Sequence, residues 1–151
     1  MELSIQQVRD HFRRHGVRVT PQRVAIYTAL AGTTSHPTPD MLFRTVKRRH
    51  PMMSRNTVYY TLSALREAGL IQEVNGGHGV VRFDANLLPH HHLVCLECRR
   101  ILDVMDDRLD RLSVSEGQVQ GFRVLGHRVE FHGYCAACQQ RMSTKRHPSG
   151  R

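Results

Sequence analysis

The sequence predicts an α+β chain in two parts: a helical half closed by a short hairpin, then a smaller sheet-and-helix half organised by cysteines. Three observations predict it. Cap residues mark the ends of a run of helices before residue 70. Two brief apolar stretches flank an Asn-Gly-Gly turn signal. The 4 cysteines fall as two C-x-x-C pairs, Cys95 to Cys98 and Cys135 to Cys138, the first directly after His90-His91-His92.

The opening helix runs from about Ser4 to His15 and stops at Gly16, a residue that tolerates the left-handed C′ position. Thr20-Pro21 supplies a capping hydroxyl and a proline at the first helical position, starting a helix that ends near Gly32. Thr38-Pro39-Asp40 repeats the device, and that helix, with Met41, Leu42 and Val46 inward, ends before Pro51. Ser54 caps a fourth helix, Arg55 to Ala68, stopped by Gly69. Val58, Leu62 and Leu65 recur on one buried stripe. Asn56, Tyr60 and Ser63 lie opposite, flanked by Arg55 and Tyr59, side chains able to contact phosphates or base edges. Leu70 to Val74 and Val80 to Phe83 then form a hairpin around Asn75-Gly76-Gly77-His78-Gly79. Helices, a candidate recognition helix and a two-stranded wing make a winged helix-turn-helix unit.

In the second half, alternation through His90, His91, His92, Leu93, Val94 and Cys95 reads as a strand with His90 and His92 on one side and His91 on the other. Ile101 to Val104 is a second strand. Asp106 to Glu116 reads as a helix with Leu109 and Leu112 inward, and Phe122 to Phe131 as a third strand. The expected divisions are a DNA-binding unit over 1–83, a small α/β dimerisation unit over 84–140, and a basic, disordered tail over 141–151. A sheet this small has edges to cover, and pairing with a second copy covers them.

Charge follows the same division. The chain has 151 residues and a formal net charge of +9. Residues 1–83 hold 12 basic and 5 acidic side chains, residues 84–140 hold 6 and 8, and the tail adds +4. A basic half joined to a slightly acidic one suits a polyanion-binding unit fused to another function, with nucleic acid as the first partner. The longest apolar stretch, Val24 to Ala31, is far shorter than the roughly 20 residues of a membrane span. Residues 1–12 lack the apolar segment of a secretory signal. The expected location is the cytoplasm, with no membrane partner.

Four thiolates suit a tetrahedral Zn²⁺, whereas imidazoles mixed with carboxylates suit Fe²⁺ or Mn²⁺, so two different metal sites are expected. The cysteine pairs stand 36 residues apart and must meet across intervening structure. Disulfides are disfavoured by the expected compartment. A thioredoxin-like redox pair is disfavoured because no strand-to-helix boundary is expected at either pair. An enzyme of the zinc hydrolase or base deaminase kind is excluded by motif and chemistry: the H-x-E and P-C-x-x-C signature is missing, and four thiolates leave zinc no open position.

With the winged-helix order, His36-Pro37-Thr38, Thr57-Val58-Tyr59, Arg82-Phe83-Asp84, the histidine cluster and both cysteine pairs in sequence, the chain resembles the ferric uptake regulator (Fur) family from Val17 to Cys138. The resemblance implies a homodimeric, metal-activated transcriptional repressor that binds a palindromic double-stranded operator and is not an enzyme. It implies a structural zinc on Cys95, Cys98, Cys135 and Cys138, and a regulatory Fe²⁺ or Mn²⁺ on His36, Asp84, His90, His92 and Asp103. Aspartate at 103, where iron sensors of the family carry glutamate, implies the peroxide-responsive (PerR) branch, in which Fe²⁺ catalyses oxidation of a ligand histidine, His36 or His90. Alternatives within the family are an iron-responsive regulator or one responsive to zinc, manganese or nickel; a haem-linked sensor using His90 to His92 is a further one. An additional metal site of the family would fall on His91, Asp110 and His127, with Pro89 where another histidine is expected. Arg18 would approach the minor groove and Tyr59 the major groove. Arg55-Asn56 ahead of Thr57, and Tyr60 after Tyr59, depart from the family pattern, so base preference is expected to differ.

Overall fold

A computed structural model describes residues 3–75 and 79–145. They form two compact units, Met1–Leu87 and Leu88–Arg151, so the division falls a few residues after the expected 83/84 boundary.

The first unit is built from four helices, α1 (Ile5–Arg14), α2 (Pro21–Ala31), α3 (Pro39–Lys47) and α4 (Arg55–Glu67), followed by β1 (Gln72–Asn75) and β2 (Val81–Asp84). Each helix begins where a hydroxyl can accept an otherwise unpaired backbone N–H. Ser4 and Gln7 form a reciprocal capping box on α1. Thr20 accepts from the Arg23 N–H, Thr38 from Met41 and Ser54 from Thr57. Gly16 and Gly69 follow α1 and α4 at φ +69 and +68, where a Cβ would be strained. The inward faces merge into one core containing Phe12, Ile26, Leu30, Leu42, Leu62 and Leu65. β1 and β2 pair antiparallel, Glu73 opposite Phe83, and Val74 and Phe83 are buried. The expected turn residues 76–78 lie outside the described residues.

The second unit holds β3 (His91–Cys95), β4 (Ile101–Val104), the one-turn helices α5 (Asp107–Asp110) and α6 (Glu116–Val119), β5 (Glu130–Gly133) and α7 (Ala136–Lys145). The sheet order is β4-β3-β5, with β3 antiparallel to β4 and parallel to β5. Its buried residues are few: Val94 and Ile101 are the buried aliphatics, and the rest are His90, His91, His92, Cys95 and Cys138.

Three sequence expectations are corrected here. The helix expected over Asp106 to Glu116 reduces to α5 and part of α6, because Ser113-Val114-Ser115 favours extended and cap geometries and Leu112, 52% exposed, finds no core to face. The strand expected over Phe122 to Phe131 forms only from Glu130 onward. In the parallel register that sets Glu130 beside His92, residues 122–128 fall level with the chain before His91, where β3 has not begun, so Phe122 and Leu125 stay exposed at 81% and 86%. The basic stretch from 141 does not begin as a disordered tail: α7 carries it to Lys145, and residues 146–151 lie outside the described residues.

Because Leu62 is 1% exposed in the first unit's core, Leu62→Ala should destabilise that unit by about 2–5 kcal/mol, seen as a lower urea midpoint of its helical signal. Gly69→Ala, which forces a Cβ into the left-handed region at φ +68, should cost about 1 kcal/mol in the same measurement.

Candidate metal centres and nucleic-acid face

The turn between β3 and β4 is a tight knuckle that carries the first cysteine pair. Cys95 closes β3, the Arg99 N–H donates to the Cys95 carbonyl at 2.9 Å, and Arg99 turns the chain through φ +64. The second pair sits where β5 ends and α7 begins, so the expectation that neither pair lies at a strand-to-helix boundary is wrong. That position alone would suit a redox pair, but the sheet brings all four sulfurs within 4.8 Å of one another. Cys98 Sγ and Cys135 Sγ are 3.7 Å apart, close to the edge of about 3.8 Å that a tetrahedron with Zn–S bonds of about 2.3 Å requires. The donor set fits zinc.

The thiols differ sharply in acidity. Burial raises Cys95, but the backbone N–H groups of Cys135, Cys98 and Glu97 aimed at its sulfur outweigh burial and bring it down to about 6. Burial pushes Cys138 up to about 12. Without a cation Cys95 and Cys138 do not ionise together; a divalent ion would supply the missing charge.

Two further clusters hold imidazoles and carboxylates, one in each unit. In the first unit, the turn before α3 is pinned to β2: the Phe83 N–H donates to the Pro37 carbonyl at 3.1 Å and Arg82 to the His36 carbonyl at 2.9 Å. This holds His36 in the left-handed region at φ +49, an energetically costly conformation for a residue with a Cβ. His36 Nε2 lies 3.5 Å from Asp84 Oδ2, both side chains nearly fully buried. Burial raises the Asp84 carboxyl, but contacts from His36, the Asn86 N–H and Gln72 prevail and hold it at about 2. Asp84 is therefore a permanently charged ligand candidate, and Gln72, which the sequence reading missed, orients it at 3.2 Å.

In the second unit, His90 Nε2 and His92 Nε2 lie 3.8 and 3.9 Å from Asp103 Oδ1. His92 and Asp103 are direct cross-strand partners, which explains their convergence. The His90 Nδ1 N–H donates to the Leu88 carbonyl at 2.7 Å, leaving Nε2 with its lone pair toward the cluster. Both rings are buried and cross edge to face, centroids 4.8 Å apart.

His91 points the other way, as alternation requires. Its Nδ1 accepts from the Val129 N–H and its Nε2 pairs with Asp110, each at 3.1 Å. His127 stacks on the His91 ring and its Nε2 is bonded to the Leu109 carbonyl at 2.6 Å. The residues expected to form an additional metal site, His91, Asp110 and His127, are linked here by hydrogen bonding and ring stacking, with both His91 nitrogens and His127 Nε2 bonded to protein partners.

On α4 the outward residues are Arg55, Asn56, Tyr59 and Tyr60, with the two rings 48% and 75% exposed. Arg55 is held in place by an ion pair to Asp40 and by the Phe43 ring beneath its guanidinium. Thr57 is only partly exposed, its hydroxyl bonded to that of Ser54 in the cap. Arg18 is exposed just before α2.

A model of the ferric uptake regulator family matches residues 14–132. The peroxide operon regulator of Bacillus subtilis (strain 168) is 35% identical over 138 residues, 91% of this chain and 95% of that protein. The peroxide-responsive repressor of Staphylococcus saprophyticus is 34% identical over 141 residues, 93% and 95% of the two chains. Among solved structures, the Campylobacter jejuni peroxide stress regulator superposes with a TM-score of 0.62 at 27% identity, covering 91% of this chain and 100% of that one. The Helicobacter pylori ferric uptake regulator shares the fold, with a TM-score of 0.70 at 18% identity over 91% and 95% of the two chains. The winged-helix order, the four-sulfur cluster and the matched span agree: the chain belongs to the ferric uptake regulator family.

Proposed function

We propose that this chain is a metal-dependent, DNA-binding transcriptional repressor that acts as a homodimer and releases its operator when peroxide is present. The observation that carries the reading is a pair of incomplete donor sets. His36 with Asp84, and His90 with His92 and Asp103, each hold buried imidazole beside carboxylate and neither fills a coordination shell alone. One Fe²⁺ or Mn²⁺ taking all five leaves a sixth position open to a small molecule. An ion that needs donors from both units stabilises the arrangement supplying them, and by linkage raises affinity for whatever that arrangement binds. Cys95, Cys98, Cys135 and Cys138 hold a separate structural Zn²⁺.

The protein's own groups set the chemistry of the regulatory site. Asp84, held ionised, supplies charge at any physiological pH; Leu88 fixes the His90 tautomer. Bound Fe²⁺ supplies one-electron reactivity toward peroxide. Of the three ligand rings His36, His90 and His92, the family resemblance points to His36 or His90 as the one oxidised. Support for peroxide as the signal comes from the relatives named as peroxide regulators at 34–35% identity and from aspartate rather than glutamate at 103.

Arg18, Arg55, Asn56, Thr57, Tyr59 and Tyr60 are the proposed DNA contacts, with α4 in the major groove. Two copies would present two such helices to a palindromic operator. The exposed apolar side chains of the second unit, among them Leu93, Leu102 and Phe131 at 42–46% exposure, support self-association there. No helix of the described residues is long and apolar enough to cross a membrane, and an operator-bound repressor works where the DNA is, in the cytoplasm.

A gel shift on the promoter DNA across Fe²⁺, Mn²⁺, Zn²⁺ and Ni²⁺, with and without peroxide, tests the whole reading. The Fe²⁺-loaded protein should lose DNA binding on peroxide treatment and gain one oxygen on the His36 or His90 peptide by mass spectrometry, while the Mn²⁺-loaded protein persists. Metal dependence without peroxide release would instead assign a metal-responsive role. His36→Ala and Asp84→Ala should each lower metal-dependent operator affinity by about tenfold or more with zinc content unchanged. Chelating the zinc should unfold the second unit, monitored by its amide hydrogen exchange, while Leu62 and its core neighbours stay protected.

A further inference from the structure

The four-cysteine site has a partner outside its ligands. On α7, Arg141 lies three residues after Cys138, a spacing that places both on one helix face, and its Nη2 donates to Cys138 Sγ at 2.8 Å. Cys138 is 0% exposed, so its sulfur has no access to water. Among the described residues Arg141 is the one cation that hydrogen-bonds any of the four sulfurs. Four thiolates around Zn²⁺ carry a net charge of −2, and in a buried setting that excess is costly unless positive groups or N–H donors face it. Cys95 receives such a donor from the Cys135 backbone N–H at 3.3 Å. For Cys138 the side chain of Arg141 supplies it.

We propose that Arg141 is a positioning residue of the zinc site, balancing the charge of the tetrathiolate through Cys138 and slowing zinc release. The inference rests on the zinc reading given above and adds a group that is not itself a ligand. The guanidinium draws electron density from the Cys138 sulfur, so that sulfur is a weaker base and a poorer target for competing electrophiles. A lysine at this position would keep the charge without the planar donor geometry.

The test uses the full-length zinc-loaded protein and its Arg141→Met, Arg141→Glu and Arg141→Lys variants. Zinc transfer to excess chelator is followed with a chromogenic zinc dye. Release should accelerate by about tenfold in Arg141→Met, further in Arg141→Glu, and stay near wild type in Arg141→Lys. In Co²⁺-substituted protein the sulfur-to-metal charge-transfer band should move to lower energy in Arg141→Met, because the Cys138 lone pair loses its hydrogen bond. A purely structural role of Arg141 would leave that band in place. Fully loaded Arg141→Met with wild-type release and an unmoved band overturns the role of Arg141 while leaving the zinc site standing. Wild-type protein that holds no tightly bound zinc overturns both. Should Arg141→Met fail to fold, the order of release rates among wild type, Arg141→Lys and Arg141→Glu decides, and equal rates overturn the inference.

Discussion

The second unit spends its interior on ligand atoms. Where the first unit buries Phe12, Ile26, Leu30, Leu42, Leu62 and Leu65 in a continuous apolar core, the second buries three consecutive histidines and two cysteines beside only Val94 and Ile101. A sheet of three short strands cannot be stabilised by so little apolar burial. The clustered sulfur and nitrogen donors would gain when a cation joins them, and the exposed apolar side chains would gain when a second copy covers them. From this constraint follow the compact knuckle, the sharp differences among thiol acidities, and the many apolar side chains left at the surface.

Much of this was legible in the chain because local chemistry decided it. Ser4, Thr20, Thr38 and Ser54 cap helices within a residue or two of where their hydroxyls suggested, and Gly16 and Gly69 end them. The alternation of His90, His91 and His92 correctly separated the two rings that meet Asp103 from the one that meets Asp110. What sequence reasoning missed depended on tertiary competition. Phe122 to Phe131 read as a strand, yet in the register that sets Glu130 beside His92 its first residues fall before β3 begins. The hydrogen bonds of His91 to the Val129 N–H and of His127 to the Leu109 carbonyl likewise join residues far apart in the chain. Gln72 and Arg141 became meaningful only once β1 lay beside β2 and α7 was known to extend past residue 140.

The left-handed backbone at His36 gives the first unit a stored cost at one of its donors. Two hydrogen bonds from β2, at the His36 and Pro37 carbonyls, hold the turn against its own preference. The same strand ends in Asp84. Anything that displaces β2 therefore moves both of that unit's candidate donors together, and a hairpin that reads as a wing for DNA also frames the His36–Asp84 pair.

Strand β3 carries His92 near its start and Cys95 at its end, about 10 Å apart along one extended backbone. A rigid β3 is needed to present His92 to Asp103, and Cys95 is what anchors that strand at the knuckle. That one strand therefore couples the two clusters mechanically: a shift of Cys95 at the knuckle is carried along the same extended backbone to the ring that faces Asp103.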